Sequence, residues 1–450
     1  MTHFKSIFAG IAVLAVLVRI APGAAAAVYG AESFQLSNGM EVVVIPNHRA
    51  PVVAHMVWYR AGAVDEPPGA SGIAHFLEHL MFKGTPTYPA GAINGVVARN
   101  GGDQNAFTSY EFTAYYQNIA VDRLPLMMEI EADRMRNLIL SEEDVTTERD
   151  VIIEERRMRV DNQPGAVLDE RLSAALWMTH RYGTPVIGWP EEMARLSRSD
   201  ALTFYKRIYS PENAILVVSG DITAAKLKPL AEKTYGAIPR GGARYERPKP
   251  PALMPGADVR VTYRDERVRQ PSVMRKYIAP SYATGDKAEV DALTVFAEIA
   301  GGGPTSKLYR ALVVDREIAA SAGAGFDGTA ASHGAMYLDV SPNPGVTIEA
   351  AEQAMDDELQ KVLDGGISDD DVARAKQRMK TSLIFLKDSP LGAAQRVGAW
   401  VATGLPLADL ETWDKRLDAV TADRVRASAK ALFATAPSAT GILLPKEATP

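Results

Sequence analysis

The residues of this 450-residue chain that could carry out hydrolytic chemistry are concentrated in one short segment, "HFLEH" at 75–79. His75 and His79 are four positions apart, so on an α-helix they share one face with Cβ atoms about 6 Å apart. One Zn²⁺ with Zn–N bonds of about 2.0–2.1 Å can join two imidazoles at that spacing. Glu78 lies beside His79, where a carboxylate can take the proton of a water that a metal has acidified. The segment therefore offers two metal ligands and a base.

The same segment could instead be an ordinary amphipathic core helix. The motif alone does not separate the two interpretations, because a catalytic zinc takes a third protein ligand from elsewhere in the chain. The chain has no cysteine, so that ligand must be His, Asp or Glu. Four further histidines have no partner at ligand spacing, and structural roles are expected for them. They are His48, His55, His180 and His333.

A carboxylate-rich segment, "TERDVIIEERRMRVDN" at 147–162, is the candidate source of the third ligand. It is predicted as a long helix in which Glu148, Glu154 and Glu155 flank an apolar stretch. A carboxylate that faces inward there could complete the metal site, while its neighbours face water, as charged runs usually do. The residues alone leave the choice between Glu154 and Glu155 open.

The elements that must position these residues follow an α+β plan. Asn38-Gly39 between two alternating apolar segments is typical of a hairpin. A segment rich in β-branched and aromatic residues, 105–118, predicts a single strand. Helical periodicity and apolar alternation predict the remaining elements. These are strands at 52–59 and 213–222 and helices at 121–138, 141–160 and 165–179.

The second half of the chain repeats this plan. A shift of 220 positions sets "PVVAHMVWYRAGA", from Pro51, on "PSVMRKYIAPSYA", from Pro271, and sets "HFLEH" on "VFAEI" at 295–299. One shift that serves several elements favours a duplicated domain. Val295 and Ile299 stand where the histidines would be, so only the first half can hold the metal site. The predicted units are a zinc-binding catalytic domain (28–240), a Pro/Gly-rich linker (241–256) and a second homologous domain without zinc ligands (257–450).

The N-terminus is typical of a secretory leader. Lys5 precedes an apolar run at 7–18 and a cluster of small residues at 24–27. This pattern predicts a signal peptide over 1–27 that is removed after Ala27. The run is shorter than the about 20 residues that span a bilayer, so no stable membrane span is expected after cleavage. Export without disulfides favours a bacterial periplasm.

Nucleic acid is not expected as a partner. The net charge of the chain is −6. No basic stripe with interleaved aromatic residues occurs in the sequence, and such a stripe would mark a nucleic-acid surface.

Three segments in this order and spacing, "HFLEHLMFKGT", "GGDQNAFTSYEFTAYY" and "ERDVIIEERRM", closely resemble the pitrilysin-type (M16) inverzincin zinc metallopeptidases. Within that family the chain resembles the half-length branch that contains the mitochondrial processing peptidases and their bacterial relatives. The resemblance covers essentially the whole chain after the leader. It implies two homologous α/β-sandwich-like domains that form half of a clamshell, and one Zn²⁺ per chain. It also implies an endopeptidase that cleaves unfolded or short peptides in an enclosed chamber.

The resemblance implies a role for each residue of the candidate metal site. His75 and His79 match the zinc ligands of the family, and Glu78 matches its catalytic base. The third ligand in the family is the last glutamate of an E-R-x-x-x-x-x-E pattern, which is Glu155 here and not Glu154. Glu148 opens the same pattern and matches a second glutamate that supports the site, as residues behind a metal ligand commonly do.

The resemblance also implies residues that contact the substrate. Asn105 and Ala106 match an edge strand along which family substrates are laid as an added strand, held by backbone hydrogen bonds. Phe82 matches a position that contacts the residue after the scissile bond. The alternative for Phe82 is a core aromatic residue one turn after His79.

One departure from the family concerns the second half. Members that are active alone carry an Arg and a Tyr seven residues apart after a glycine-rich loop, and these residues hold the substrate and its developing oxyanion. The matching places here are Val313 and Ala320, with Tyr309, Arg310 and Arg316 out of register. We therefore expect a heterodimer in which a homologous non-zinc subunit supplies the pair. The alternatives are a zinc-binding but catalytically silent structural subunit, or a self-sufficient homodimer that uses Arg310 or Arg316.

Overall fold

The computed structural model describes residues 27–249 and 258–446. The strands in these ranges are β1 (Glu32–Gln35), β2 (Glu41–Pro46), β3 (Val52–Tyr59), β4 (Asp103–Thr108), β5 (Thr113–Ala120), β6 (Ala214–Gly220), β7 (Val259–Asp265), β8 (Ser272–Ala279), β9 (Ala319–Asp327), β10 (Gly334–Pro342) and β11 (Ser438–Pro445). The helices are α1 (Ile73–Leu80), α2 (Ala92–Arg99), α3 (Leu124–Asn137), α4 (Glu142–Arg156), α5 (Pro164–Trp177), α6 (Pro190–Met193), α7 (Arg198–Ile208), α8 (Ala224–Lys233), α9 (Lys287–Gly301), α10 (Lys307–Tyr309), α11 (Ile348–Leu363), α12 (Asp369–Asp388), α13 (Pro390–Ala402), α14 (Leu407–Glu411), α15 (Trp413–Asp418) and α16 (Ala422–Thr435).

The first sheet has the strand order β1-β2-β6-β3-β5-β4. The predicted hairpin is confirmed, since β1 and β2 pair antiparallel around Asn38-Gly39. Gly39 adopts a φ of 94°, a left-handed value that favours glycine. The amide of Asn38 holds the turn by donating to the carbonyls of Tyr235 and Ile238 at 2.8 and 2.9 Å. The predicted strand at 52–59 is also confirmed, as β3.

The prediction of one strand over 105–118 is wrong. The segment contains two antiparallel strands, β4 and β5, which pair from Asp103↔Asn118 to Thr108↔Thr113. A tight turn joins them, closed by a hydrogen bond from the Ser109 N–H to the Phe112 carbonyl at 2.8 Å. The turn residues between the two strands include no glycine, proline or asparagine. The residue types therefore gave no signal that the strand is interrupted there.

The second sheet repeats the first. Its order is β7-β11-β8-β10-β9, which matches β2-β6-β3-β5-β4 strand for strand. In both sheets the first two strands of this series are parallel and the remaining neighbours are antiparallel. The strands β3 and β8 are related by the same shift of 220 positions that the sequence shows. The chain is therefore an α+β protein of two homologous domains, as predicted.

One helix from each half of the chain packs on the sheet of the other half. Helix α13 from the second half packs on β3 and β6 of the first sheet, and α5 from the first half packs on β7 and β11 of the second. Trp58 and Trp400 belong to one buried cluster that spans both halves. Gly398 of α13 lies against the Trp58 indole so closely that a Cβ there would overlap the ring. The two domains thus share a packed interface.

The remaining predictions on chain organisation concern segments at the edges of the described residues. The predicted signal peptide lies outside them except for Ala27, and the predicted linker is described only up to residue 249. In that part Arg247 binds Asp65 through two nitrogen–oxygen contacts of 2.8 and 2.9 Å. The domain boundaries stay a prediction. Within residues 27–249 and 258–446, no helix has the length and apolar character needed to cross a membrane.

Candidate metal centre

Helix α1 carries the histidines against the core of the first domain. All of its residues except His79 are buried, and the helix follows Gly72, whose φ is 85°. The carboxylate of Glu66 accepts the free N–H groups of Gly72 and Ala74 at 3.0 Å each. An acceptor at a helix N-terminus satisfies donors that the helix itself leaves unpaired. Burial raises the pKa of Glu66 to about 8. Sequence reasoning did not identify this residue.

Three ligand atoms converge at the exposed end of α1. Glu155 Oε2 lies 3.4 Å from His75 Nε2 and 3.2 Å from His79 Nε2. All three ligand atoms lie within 4.8 Å of one another. Bonds of about 2.0–2.2 Å in a tetrahedral site imply ligand–ligand separations of about 3.3 Å, so the donor set fits zinc. Glu155 Oε2 is buried without a hydrogen-bond partner among the described residues. A bound cation between the two imidazoles would compensate this unpaired, buried carboxylate oxygen.

The two neighbouring glutamates that the sequence could not separate face different ways. The side chain of Glu155 is 13% exposed and meets the histidines. The side chain of Glu154 is 57% exposed and pairs with Arg157 at 2.9 Å. Consecutive helical residues point about 100° apart, so only one of the two can face α1. The assignment of Glu155, and not Glu154, as a metal ligand stays a prediction, which this geometry supports.

Glu148 stands behind His79. Its Oε1 accepts a hydrogen bond from His79 Nδ1 at 2.8 Å, and its Oε2 contacts Lys83 Nζ at 2.5 Å. The hydrogen bond to His79 is the main reason that the pKa of Glu148 falls to about 2. A carboxylate on the second ring nitrogen fixes the tautomer and orientation of a metal-binding histidine. Lys83 was missed by sequence reasoning, because it lies in the turn that follows α1, where helical spacing does not apply.

The two imidazoles have opposite proton affinities. Burial, with a smaller contribution from His79, lowers the pKa of His75 to about 4. Burial also acts to lower the pKa of His79, but the hydrogen bond with Glu148 and the neighbouring carboxylate of Glu155 outweigh it and raise the value to about 9. In the absence of a cation, the protonated imidazole of His79 therefore supplies a positive charge next to the Glu155 carboxylate.

Glu78 lies on the same helix, turned toward the tip of β4. Its Oε2 accepts a hydrogen bond from Thr108 Oγ1 at 2.6 Å. Burial raises the pKa of Glu78, and the Thr108 hydrogen bond offsets part of that rise. A carboxylate with a raised pKa holds a transferred proton better than a solvated one does. Thr108 was not identified from the sequence, because the turn that brings it to Glu78 was itself not predicted.

Arg159 holds the outer oxygen of Glu155. It lies in the π-helical turn Arg157–Asp161 that follows α4. Its Nη2 is 2.9 Å from Glu155 Oε1, and its side chain is 71% exposed. The contact occupies Oε1 and leaves Oε2 facing the histidines. Sequence reasoning did not single out this residue among the four arginines of the segment.

The predicted substrate-contact residues lie on β4, whose last residue Thr108 contacts Glu78, and in the turn after α1. Asn105 and Ala106 are on β4, the edge strand of the first sheet. Asn105 Oδ1 accepts the N–H of Ala106 at 2.8 Å. Among the described residues, β5 is the one strand that pairs with β4. The ring of Phe82 lies 6.1 Å from that of Tyr115 and is partly buried, as a core aromatic residue would be.

The second domain presents no counterpart of this site in its described residues. Val295 and Ile299 of α9 are buried apolar residues. Val313 packs against the second core, and Ala320 is exposed at the start of β9. Arg310, out of register with both, has its Nη2 3.7 Å from Asp315 Oδ1. The Arg/Tyr pair expected of a self-sufficient enzyme is thus missing from the matching places.

A duplicated α+β fold with a His-x-x-Glu-His helix and a distant glutamate defines the class of inverzincin-type metallopeptidase folds. The family profile described as "Insulinase (Peptidase family M16)" matches residues 41–189, and the profile "Peptidase M16 inactive domain" matches residues 195–379. The chain belongs to the M16 peptidase family.

Individual relatives agree with this assignment. The chain is 31% identical over 364 residues to the "Zinc protease PqqE" of Helicobacter pylori, which covers 78% of this chain and 79% of the relative. A protease structure from Helicobacter pylori matches with a TM-score of 0.85 and 28% identity over 92% of this chain and 99% of that one. The periplasmic protease PqqL from Escherichia coli matches with a TM-score of 0.77 and 20% identity. That match covers 92% of this chain but 47% of PqqL.

Proposed function

We propose that this chain is the zinc-bearing subunit of a metalloendopeptidase that cleaves unfolded or short peptides. The observation that carries the proposal is the approach of Glu155 Oε2 to His75 Nε2 and His79 Nε2, at 3.4 and 3.2 Å. The two imidazoles and one carboxylate supply three protein ligands, which is the number that catalytic zinc sites use. One zinc ion per chain would be held there.

In this proposal Glu78 is the general base. Bound zinc would supply a positive charge that acidifies water and polarises the scissile carbonyl. Glu78 would take a proton from the attacking water and pass it to the leaving amine, with Thr108 keeping its carboxylate in place at 2.6 Å. Glu148 would keep His79 oriented, through the 2.8 Å hydrogen bond on Nδ1.

The substrate would bind as an extra strand along β4. The strand stands at the edge of its sheet and ends at Thr108, which touches Glu78. Backbone pairing with Asn105 and Ala106 would lay an extended peptide across the base with little demand on its sequence. Only unfolded or short segments can offer such a backbone, and a closed chamber would further limit substrates by size. Phe82 would contribute to the wall after the scissile bond.

A homologous subunit without zinc ligands would complete the enzyme. The places that match the family's Arg/Tyr pair hold Val313 and Ala320. The match to PqqL covers 47% of that chain, so PqqL carries about twice the length represented here. Two half-length chains would reproduce such an arrangement as a closing clamshell. The leader-like N-terminus supports export to the periplasm, and the structurally similar PqqL is a periplasmic protease.

The test is metal analysis and peptide cleavage by the purified chain, alone and with the family homologue that lacks the His-x-x-Glu-His motif. We expect one zinc per chain, cleavage of an unstructured peptide only with the homologue, and loss of cleavage on chelation that added zinc restores. Full cleavage by the chain alone would favour the self-sufficient homodimer. A zinc-loaded complex that cleaves no peptide would favour the silent structural subunit.

A further inference from the structure

Arg159 is the charged group that stands most openly at the metal centre. Its side chain is 71% exposed, whereas those of His75 and Glu155 are 9% and 13% exposed. The buried sides of the centre are closed by α1 with its histidines, by Thr108 under Glu78, and by Glu148 behind His79. Arg159 is therefore the charged side chain of the centre that an approaching peptide can contact most freely.

The guanidinium of Arg159 is less fully paired than that of Arg156 and is paired to the same extent as that of Arg157. Arg156 binds Glu170 at 2.8 Å, and Arg157 binds Glu154 at 2.9 Å. The one acidic partner of Arg159 among the described residues is Glu155, which it meets through a single nitrogen at 2.9 Å. A guanidinium has five N–H donors, so most of those on Arg159 face solvent. The guanidinium is positively charged throughout, and a cation beside Glu155 Oε2 would leave less of that carboxylate's negative charge to offset it.

We propose that Arg159 selects substrates that present a carboxylate close to the scissile bond. The inference rests on the proposed peptidase function and names its substrate class. A guanidinium binds a carboxylate through two parallel hydrogen bonds, while it repels lysine and arginine side chains. The carboxylate can belong to an internal Asp or Glu, or to the free C-terminus of a short peptide. Arg159 is also a positioning residue, because its contact with Glu155 Oε1 leaves Oε2 free to face the metal.

The test is peptide binding to a chain that cannot cleave. Glu78→Gln is combined with Arg159→Gln, Arg159→Lys or Arg157→Gln, and fluorescence anisotropy follows labelled Ala/Ser/Gly decapeptides with amidated ends. One decapeptide has two central Glu residues, a second has two Lys and a third has two Gln. A fourth has neutral side chains and a free C-terminal carboxylate, which separates the two sources of the anion. Zinc content is measured for each variant, with and without the non-zinc homologue.

We expect the Glu peptide to bind roughly tenfold tighter than the Lys peptide, as an exposed charge pair and its reversal allow. Arg159→Gln should cut this ratio at least about threefold, Arg159→Lys should keep most of it, and Arg157→Gln should not change it. Raising the salt from about 50 to about 500 mM should also reduce it, because exposed charges are screened. If only the fourth peptide responds to Arg159→Gln, the selected carboxylate is the C-terminal one.

The proposal is overturned if Arg159→Gln changes neither the ratio of the Glu-peptide affinity to the Lys-peptide affinity nor the affinity for the peptide with the free C-terminal carboxylate. If Arg159→Gln lowers the zinc content, the ratio measured on zinc-stripped parent and variant decides in the same way. If binding is selective but the chain with Glu78 intact cleaves nothing, even with zinc and the homologue, the proposed peptidase is refuted and the carboxylate site stands. An active peptidase without the preference would refute only the role of Arg159.

Discussion

Glu148 Oε1 accepts a hydrogen bond from His79 Nδ1 at 2.8 Å, and this bond turns the other ring nitrogen toward Glu155. Lys83 holds the second oxygen of Glu148 at 2.5 Å, so the carboxylate has a fixed position behind the histidine. The ring of His75, by contrast, has no partner on its buried Nδ1 among the described residues. The orientation of the metal centre therefore depends on the His79 side more than on the His75 side.

Replacing Glu148 should weaken zinc binding without abolishing it. Glu148→Ala removes the acceptor on His79 Nδ1, and loss of such a partner costs about 10- to 100-fold in metal affinity. Competition with a zinc-chelating dye measures the dissociation constant. Asp150→Ala, a change at an exposed position of the same helix, is the matched control and should leave the affinity unaltered. Equal affinities for the two variants would show that Glu148 does not orient the site.

Replacing each of the two adjacent glutamates by alanine should show which of them binds zinc. Glu155→Ala removes one of three ligands and should lower zinc affinity by more than about 100-fold. Glu154→Ala removes an exposed partner of Arg157 and should keep one zinc per chain. Elemental analysis after dialysis measures the zinc content. Zinc loss in Glu154→Ala with retention in Glu155→Ala would invert the assignment.

Glu66 should make the stability of the first domain depend on pH. Burial raises its pKa to about 8 in the folded chain, against about 4.3 for an unperturbed glutamate. Between these values the folded state binds more protons than the unfolded state. The free energy of unfolding should therefore be highest at acidic pH and fall, by the order of a few kcal/mol, as pH rises to about 8.

Glu66→Gln isolates this effect, because the amide oxygen still accepts an N–H group at the start of α1 but cannot ionise. Urea unfolding at several pH values between 5 and 9 measures it. The difference in unfolding free energy between parent and variant should shift in favour of the variant as pH rises. Parallel stability curves would show that Glu66 does not titrate in this range.

The contact between Gly398 and Trp58 should be sensitive to one added carbon. A Cβ at Gly398 would overlap the Trp58 indole, and overpacking of this kind costs about 1–3 kcal/mol. Gly398→Ala should lower the midpoint of thermal unfolding. Gly165→Ala is the control, because a Cβ there meets nothing within 4 Å and alanine favours the helix by roughly 0.5–1 kcal/mol. Equal effects of both changes would mean that α13 is not packed tightly on the first sheet.

Features encoded within a few residues were predictable from the sequence. The H-x-x-E-H spacing gave the helix and its two histidines, and apolar alternation gave β3 with its bounds. The duplication was visible because one shift aligned several elements. Glu155 could not be chosen over Glu154 from residue types, since both lie on the same helix beside apolar neighbours. The resemblance to the family was needed for that choice.

Contacts between distant segments were not predictable. Thr108 reaches Glu78 only because a turn follows β4, and that turn carries no strong turn residue. Glu66 reaches the start of α1 through a local backbone shape that hydrophobic periodicity does not encode. Arg159, by contrast, lies four residues after Glu155, a helical spacing from which this pair could have been predicted. The exchange of α5 and α13 between the two sheets is a tertiary arrangement with no signature in either helix.

The measurement that most directly tests the central claim compares zinc content and peptide cleavage in Glu78→Gln, in complex with the non-zinc homologue. Gln keeps the shape of Glu78 and an acceptor for Thr108 but cannot take a proton. The variant should bind one zinc per chain, as the parent should, and lose cleavage by about 100-fold or more, the usual contribution of a general base. Undiminished cleavage by the zinc-loaded variant would contradict the assignment of Glu78 as the base of a zinc peptidase.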